Sequence, residues 1–311
     1  MAWLEITIQT ESDAQAVAAA LTARGFSDLV IEDQQEFETF LEENRDYWDY
    51  IDESLQQKLQ GLSQVKLYLE DSDKAGMARL ENAVTELSLS MTVSLLPDVD
   101  YEESWKENYP PQPIGESLVV LPYWLADTDT DRKPIILDPG LTFGTGAHPS
   151  TQMVMEAMEK LVFPNAVCLD LGSGSGILSI AALRLGAKSA IGVDVDPKAE
   201  DIARENALYN GFAAPEFTAL TGNVTEDKKL MARLSENAYD FVFVNIVADV
   251  IIALAPVLPT FLGSKTALIC SGILDTRLAD VEAALQKAGI RITAHRAKED
   301  WRCIVAERSR L

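Results

Sequence analysis

The run Asp170-Leu171-Gly172-Ser173-Gly174-Ser175-Gly176 joins two apolar stretches, residues 166–171 and 176–186. The first reads as a buried strand and the second as a helix, with a glycine-rich turn between them. Glycines in such a turn let a ligand come close to the backbone, and the helix start offers free N–H groups. Dinucleotide sites use G-x-G-x-x-G, whose third glycine would fall where this chain has Ile177. The spacing here is D-x-G-x-G-x-G instead.

Working outward from this turn, strands and helices alternate. A helix is expected at 150–162. Strand 189–195 leads to helix 197–210, and strand 216–221 follows. Strand 239–247 leads to helix 249–262, and strand 266–272 to helix 275–289. Strands near 290–296 and 301–308 close the chain. Continuous apolar strands separated by helices imply a parallel sheet covered on both faces. The last two strands leave no room for a crossover helix, so they must pair antiparallel. The expected fold is therefore α/β, a seven-stranded Rossmann-like sheet with an antiparallel last strand. That architecture, with the D-x-G-x-G-x-G spacing, is the form associated with S-adenosylmethionine-dependent methyltransferases.

Candidate ligand-binding positions lie at the carboxyl ends of these strands, where open α/β sheets bind ligands. Gly172 and Gly174 form the turn. Asp194 ends the second strand and can accept hydrogen bonds from ribose hydroxyls. Asp196, just before Pro197, suits a helix cap. Asn223, in Gly222-Asn223-Val224, is a candidate for the adenine. Asn245 interrupts an otherwise apolar strand and needs partners if buried. It is a candidate both for holding the cofactor and for orienting an acceptor amine. His148 is open to two readings: a proton acceptor, or a loop histidine held by backbone hydrogen bonds.

The N-terminal part reads differently. Residues 3–9 alternate as a strand, Ser12 and Asp13 precede an amphipathic run ending at Gly25, and Leu29–Ile31 is apolar. Strand 64–70, helix 73–88 and strand 91–96 follow. The order β-α-β-β-α-β predicts a smaller α+β domain of ferredoxin-like type, residues 1–98. Between its second and third strands, Glu32–Glu53 holds ten acidic residues and one basic residue, Arg45, with aromatics such as Phe37, Phe40, Tyr47 and Trp48 interleaved. A solvated face and a docking surface are both compatible with that pattern. Tyr109-Pro110-Pro111-Gln112-Pro113 stiffens the chain. Residues 99–132 are taken as linker and connecting segment, and 133–311 as the catalytic domain.

Length and composition set bounds. At 311 residues the chain suits two domains, and 47% apolar residues supply ample core. The net charge of −23 disfavours nucleic acid and anionic membrane as partners and favours a basic one. Cys168, Cys270 and Cys303 are odd in number, widely spaced and set in strands, so neither a disulfide framework nor a metal site is expected. The start of the sequence lacks a basic-then-apolar leader, and the apolar run Phe241–Leu262 carries Asn245, Asp249, Pro256 and Pro259. That run reads as a buried strand entering a helix rather than a membrane span. The chain is expected to be cytoplasmic and monomeric.

One further stretch is more specific. Leu137-Asp138-Pro139-Gly140-Leu141-Thr142-Phe143-Gly144-Thr145-Gly146-Ala147-His148-Pro149-Ser150-Thr151 is a loop fixed by glycines and prolines. Together with the 170–176 turn, Asn245-Ile246-Val247-Ala248 and Pro113-Ile114-Gly115, it resembles the bacterial methyltransferases of the large-subunit stalk protein L-eleven (PrmA type). The resemblance spans nearly the whole chain. It implies S-adenosylmethionine as donor, with lysine ε-amines and an N-terminal α-amine of a basic ribosomal protein as acceptors. It places Thr151, Gly172, Asp194 and Asn245 at cofactor-contacting positions. Ala147 and Ser150 stand where threonines are common in that family. The acidic insertion after residue 32 also looks longer than in its compact members.

Overall fold

The computed structural model describes residues 3–10, 13–34, 39, 61–96, 106, 109–139 and 145–309. Most of the acidic insertion, the segment before Tyr109 and the stretch 140–144 of the glycine-rich loop lie outside them. The chain divides into two compact units, Met1–Asn108 and Tyr109–Leu311.

In the first unit, β1 (Trp3–Gln9), α1 (Ala14–Thr22), β2 (Val30–Asp33), β3 (Ser63–Glu70), α2 (Lys74–Glu86) and β4 (Ser90–Leu96) follow in chain order. The strands form an antiparallel sheet ordered β2-β3-β1-β4. Ile6 and Ile8 alternate with polar neighbours along β1 and point to one face, as do Val65 and Leu67 on β3. Val17, Ala18, Leu21, Leu80, Ala83 and Val84 of the two helices complete that core. Each fully buried leucine or isoleucine here contributes about 1.5–3 kcal/mol. Both helices start under carboxylate caps. Asp13 accepts the N–H of Gln15, and Asp73 that of Gly76.

The second unit opens with a three-stranded sheet ordered β5-β6-β7: β5 (Gln112–Ile114), β6 (Leu118–Pro122) and β7 (Lys133–Leu137). β5 was not foreseen. A seven-stranded sheet follows, built from β8 (Val167–Leu171), β9 (Ser189–Asp194), β10 (Phe217–Thr221), β11 (Phe241–Asn245), β12 (Ala267–Leu274), β13 (Ile290–Lys298) and β14 (Trp301–Arg308). Its order is β10-β9-β8-β11-β12-β14-β13. β14 alone runs antiparallel to its neighbours, and it lies between β12 and β13.

Helices α3 (Pro149–Leu161), α4 (Ile177–Arg184) and α5 (Pro197–Tyr209) share one core layer with Cys168 and Phe243. Helices α6 (Lys228–Ser235), α7 (Ala248–Leu254) and α8 (Leu278–Lys287) share the other with Leu169, Val242 and Val244. Successive strand residues serve opposite layers, as a doubly covered sheet requires.

Two elements depart from the sequence reading. α6 was missed, although Asp227 caps it and Leu230 and Leu234 anchor it at helical spacing. The helix expected over 249–262 stops at Leu254 and resumes only as a short 3-10 turn at 258–260. Pro256 and Pro259 supply no N–H to an α-helical ladder. The run Phe241–Leu262 is nonetheless a buried strand leading into a helix. No helix among the described residues is long and apolar enough to cross a membrane.

Candidate active site

β8 is flanked by β9 on one side and β11 on the other, so the crossover direction reverses there. Such a reversal opens a crevice beyond the carboxyl ends of the strands. The glycine turn lies at this point. Gly172, Gly174 and Gly176 all hold positive φ, at 76°, 47° and 79°. A β-carbon on Gly172 would lie 2.4 Å from Ile246 Cγ2, so the turn packs against the end of β11 with no space for a side chain.

Asp194 ties the turn to β9. Its Oδ2 accepts the Gly174 N–H at 2.8 Å and its Oδ1 the Asp196 N–H at 3.0 Å. Each carboxylate oxygen keeps a further lone pair. Asp196 caps α5 through Lys198 N–H, as its place before proline suggested. The Asp194 carbonyl accepts from Gly222 N–H at 2.8 Å, which brings Asn223 alongside. Asn223 Oδ1 is held locally by Thr225, through its N–H at 3.0 Å and its hydroxyl at 2.7 Å.

Asn245, on the last residue of β11, donates to Thr151 Oγ1 at 3.0 Å. Its Oδ1 is buried without a hydrogen-bond partner. A bulge in β12 supports this end of β11: Ile246 N–H bonds Ser271 O, and Gly272, with φ 84°, packs on the Ile246 backbone. Thr151, 2% exposed, sits in the first turn of α3.

His148 caps that helix. Its Nδ1 accepts the Ser150 N–H at 3.3 Å and lies 2.7 Å from Ser150 Oγ, while its ring meets Trp301 edge-on, centroids 4.5 Å apart. Burial holds its pKa below the ordinary histidine value, partly opposed by Glu299. His148 is thus held at the helix start through Nδ1.

Sequence reasoning did not single out the Asp170 side chain. It is fully buried; Oδ2 accepts from Ser179 N–H and Oγ, at 3.2 and 2.9 Å, and Oδ1 has no partner. Burial pushes its pKa up to about 7, against the hydrogen bonds from Ser179, with Asp194 adding to the rise. The three cysteines are buried and free.

The structure thus brings Gly172, Gly174 and Asp194 together with Asn223, links Thr151 to Asn245, and joins the two groups where Ile246 meets Gly172. The set fits S-adenosylmethionine. A carboxylate with spare lone pairs suits a ribose diol, the glycine turn admits a close backbone contact, and the orphaned Asn245 oxygen suits an amino group. Fold and site define an S-adenosylmethionine-dependent methyltransferase. Within that class the chain belongs to the ribosomal protein L11 methyltransferase (PrmA) family, whose profile matches residues 2–309. A relative named ribosomal protein L11 methyltransferase, from Heliobacterium modesticaldum, is 36% identical over 99% of this chain and 98% of its own. Another, from Alkaliphilus oremlandii, is 36% identical over 99% of each chain. The crystal structure of a ribosomal protein L11 methylase from Lactobacillus delbrueckii subsp. bulgaricus superposes with a TM-score of 0.58. It shares 30% identity and covers 65% of this chain and all of that one.

Proposed function

We propose that this protein methylates lysine ε-amines and the N-terminal α-amine of ribosomal protein L11. The observation that carries the reading is the Asn245–Thr151 pair beside the glycine turn, with one buried amide oxygen left to accept an N–H. The family's printed substrate and the acidity of the chain, net charge −23, support a basic protein as acceptor. Bound S-adenosylmethionine supplies a methyl group already activated by its sulfonium.

The chain's own residues then have two tasks. They align acceptor and donor, and they keep the amine neutral. Asp194, Asn223, Gly172, Gly174 and Thr151 would hold the cofactor. Asn245 would hold it and orient the amine through Oδ1. A free lysine has a pKa near 10.4, so enclosure of its tip must lower that value for reaction at neutral pH. With Nδ1 of His148 engaged at the helix start, desolvation rather than that ring supplies the neutral amine.

The first unit is proposed as a ferredoxin-like recognition module over residues 1–98, followed by connecting residues 99–132 and the catalytic domain 133–311. The β-α-β-β-α-β order and the separate core support the first boundary, whereas β5 and β6 belong to the second compact unit and share its core. The protein is proposed to act as a cytoplasmic monomer without nucleic acid or membrane. Incubation with unmodified ribosomal protein L11 and labelled S-adenosylmethionine, followed by mass spectrometry, tests the activity. Added methyl groups on lysines and the N-terminus are expected. No incorporation by a protein that binds the cofactor would reject the substrate.

A further inference from the structure

Asn206 on the inner face of α5 and Asn210, its C-cap, lie four residues apart, 0% and 5% exposed. The rest of that face is alanine: Ala199, Ala203 and Ala207. A buried amide costs free energy unless every donor and acceptor is met, so these two asparagines need an account. Both meet the backbone of β7 and its extension. Asn210 Oδ1 accepts the Ile136 N–H at 2.9 Å, and its Nδ2 donates to Ile136 O at 2.7 Å. Asn206 Oδ1 accepts the Asp138 N–H at 2.9 Å, and its Nδ2 donates to Ser175 O at 2.9 Å.

The partners of Asn206 fix its orientation, because a backbone N–H needs an acceptor and a carbonyl needs a donor. They also lie on different functional segments. Asp138 directly follows β7. Ser175 belongs to the glycine turn. One residue further along the turn, Gly176 packs on Ala203, where an added β-carbon would lie 3.0 Å from Ala203 Cβ. Gly146 packs between β6 and α4: a β-carbon there would lie 2.9 Å from Val120 Cγ2 and 3.2 Å from Ile177 Cδ1.

We infer that Asn206 is a positioning residue that holds Asp138, at the end of β7, in register with the glycine turn. The inference rests on the proposed reading of the turn as cofactor site and of Thr151 and Asn245 as its companions. A single planar amide sets the separation of the two backbones. Displacements of about 1 Å in such an arrangement can cost on the order of a hundredfold in rate.

Two variants test this. Asn206→Leu keeps the volume and removes both bonds. Asn206→Asp keeps the acceptor half; when ionised it cannot donate to Ser175 O, and when protonated it can. For Asn206→Leu the expected result is a fall in kcat of tenfold or more, with affinity for S-adenosylhomocysteine within threefold of the parent. For Asn206→Asp, kcat relative to the parent should fall as pH rises, because the donor half is lost on ionisation.

Amide hydrogen exchange supplies a readout independent of turnover. In the parent protein, S-adenosylhomocysteine should slow exchange both in the turn and at the Asp138 amide, which Asn206 accepts. In Asn206→Leu only the turn should remain protected. A folded Asn206→Leu with parental kcat, or with ligand-dependent protection at Asp138 intact, would overturn the inference. Equal losses in kcat and affinity would also overturn it and reduce Asn206 to a support of the cofactor turn. If the parent binds S-adenosylhomocysteine but methylates no ribosomal protein, the exchange result still decides on Asn206 while the proposed substrate fails.

Discussion

Asn245 and Thr151, 94 positions apart in sequence, are joined by a 3.0 Å hydrogen bond that leaves the Asn245 carbonyl oxygen buried and unpaired. The donor half of the amide is spent on holding the residue. On the proposed reading the acceptor half takes the amine N–H, which becomes cationic as the methyl group transfers, and a hydrogen bond to a charged group is worth about 1.5–3 kcal/mol. Asn245→Ala should therefore lower kcat by roughly tenfold to a hundredfold, and by more than it lowers cofactor affinity. Steady-state kinetics with calorimetry checks this. Equal losses in both would reduce Asn245 to a cofactor ligand.

Asp194 grips the glycine turn, and on the proposed reading its remaining lone pairs take the ribose hydroxyls. Asp194→Ala should weaken S-adenosylhomocysteine binding by about 1.5–3 kcal/mol. Asp194→Asn keeps an acceptor for one of the two N–H groups and should fall between. Unchanged calorimetric affinity in a folded Asp194→Ala would remove the residue from the site.

His148 should behave as a cap. Asn accepts from backbone N–H groups as well as any residue at a helix start, so His148→Asn should keep turnover within a few-fold of the parent, whereas His148→Ala should cost about 1 kcal/mol of stability. A hundredfold loss of kcat in His148→Asn, with affinity retained, would make the ring a proton acceptor after all. Because burial lowers its folded pKa, His148 contributes stability above its ordinary pKa of 6.5, and that contribution is lost as pH falls through the folded value.

Asp170 gives the opposite sign. Its pKa rises from 3.8 to about 7 on folding, so between those values the native state binds more protons than the unfolded chain. Its contribution is favourable at low pH and fades as pH rises toward 7. Urea unfolding at pH 5 and pH 8 should show Asp170→Asn gaining on the parent at the higher pH by at least about 1 kcal/mol, the worth of less than one pKa unit. An identical pH dependence in both proteins would show that Asp170 does not titrate in this range.

The glycine turn and the place of Asp194 beside it were readable because strand, glycines and carboxylate are consecutive or end adjacent elements. Asn245 was readable as a polar residue in an apolar strand. Its bond to Thr151 was not, since nothing local joins two such distant positions. Asn206 escaped notice for a related reason: on a helix read for its apolar stripe, a buried asparagine looks like a break in the pattern until its backbone partners are seen. The antiparallel final pair followed from loop length. The place of β14 inside the sheet did not, because strand neighbours are chosen by the whole sheet. The missed α6 was within reach, through Asp227 and the Leu230–Leu234 pair.

The position of β14 also bears on how the protein is made. Among the described residues β13 touches the sheet only through β14, which leaves the ribosome after it. The five strands β8 to β12 can assemble during synthesis, but β13 has nothing to pair with until the two-residue turn at Glu299-Asp300 has been passed. The closing hairpin must then form as a unit and dock along β12. Until that moment the edge of β12 stands open to pairing with other chains, an aggregation hazard that the closing hairpin removes.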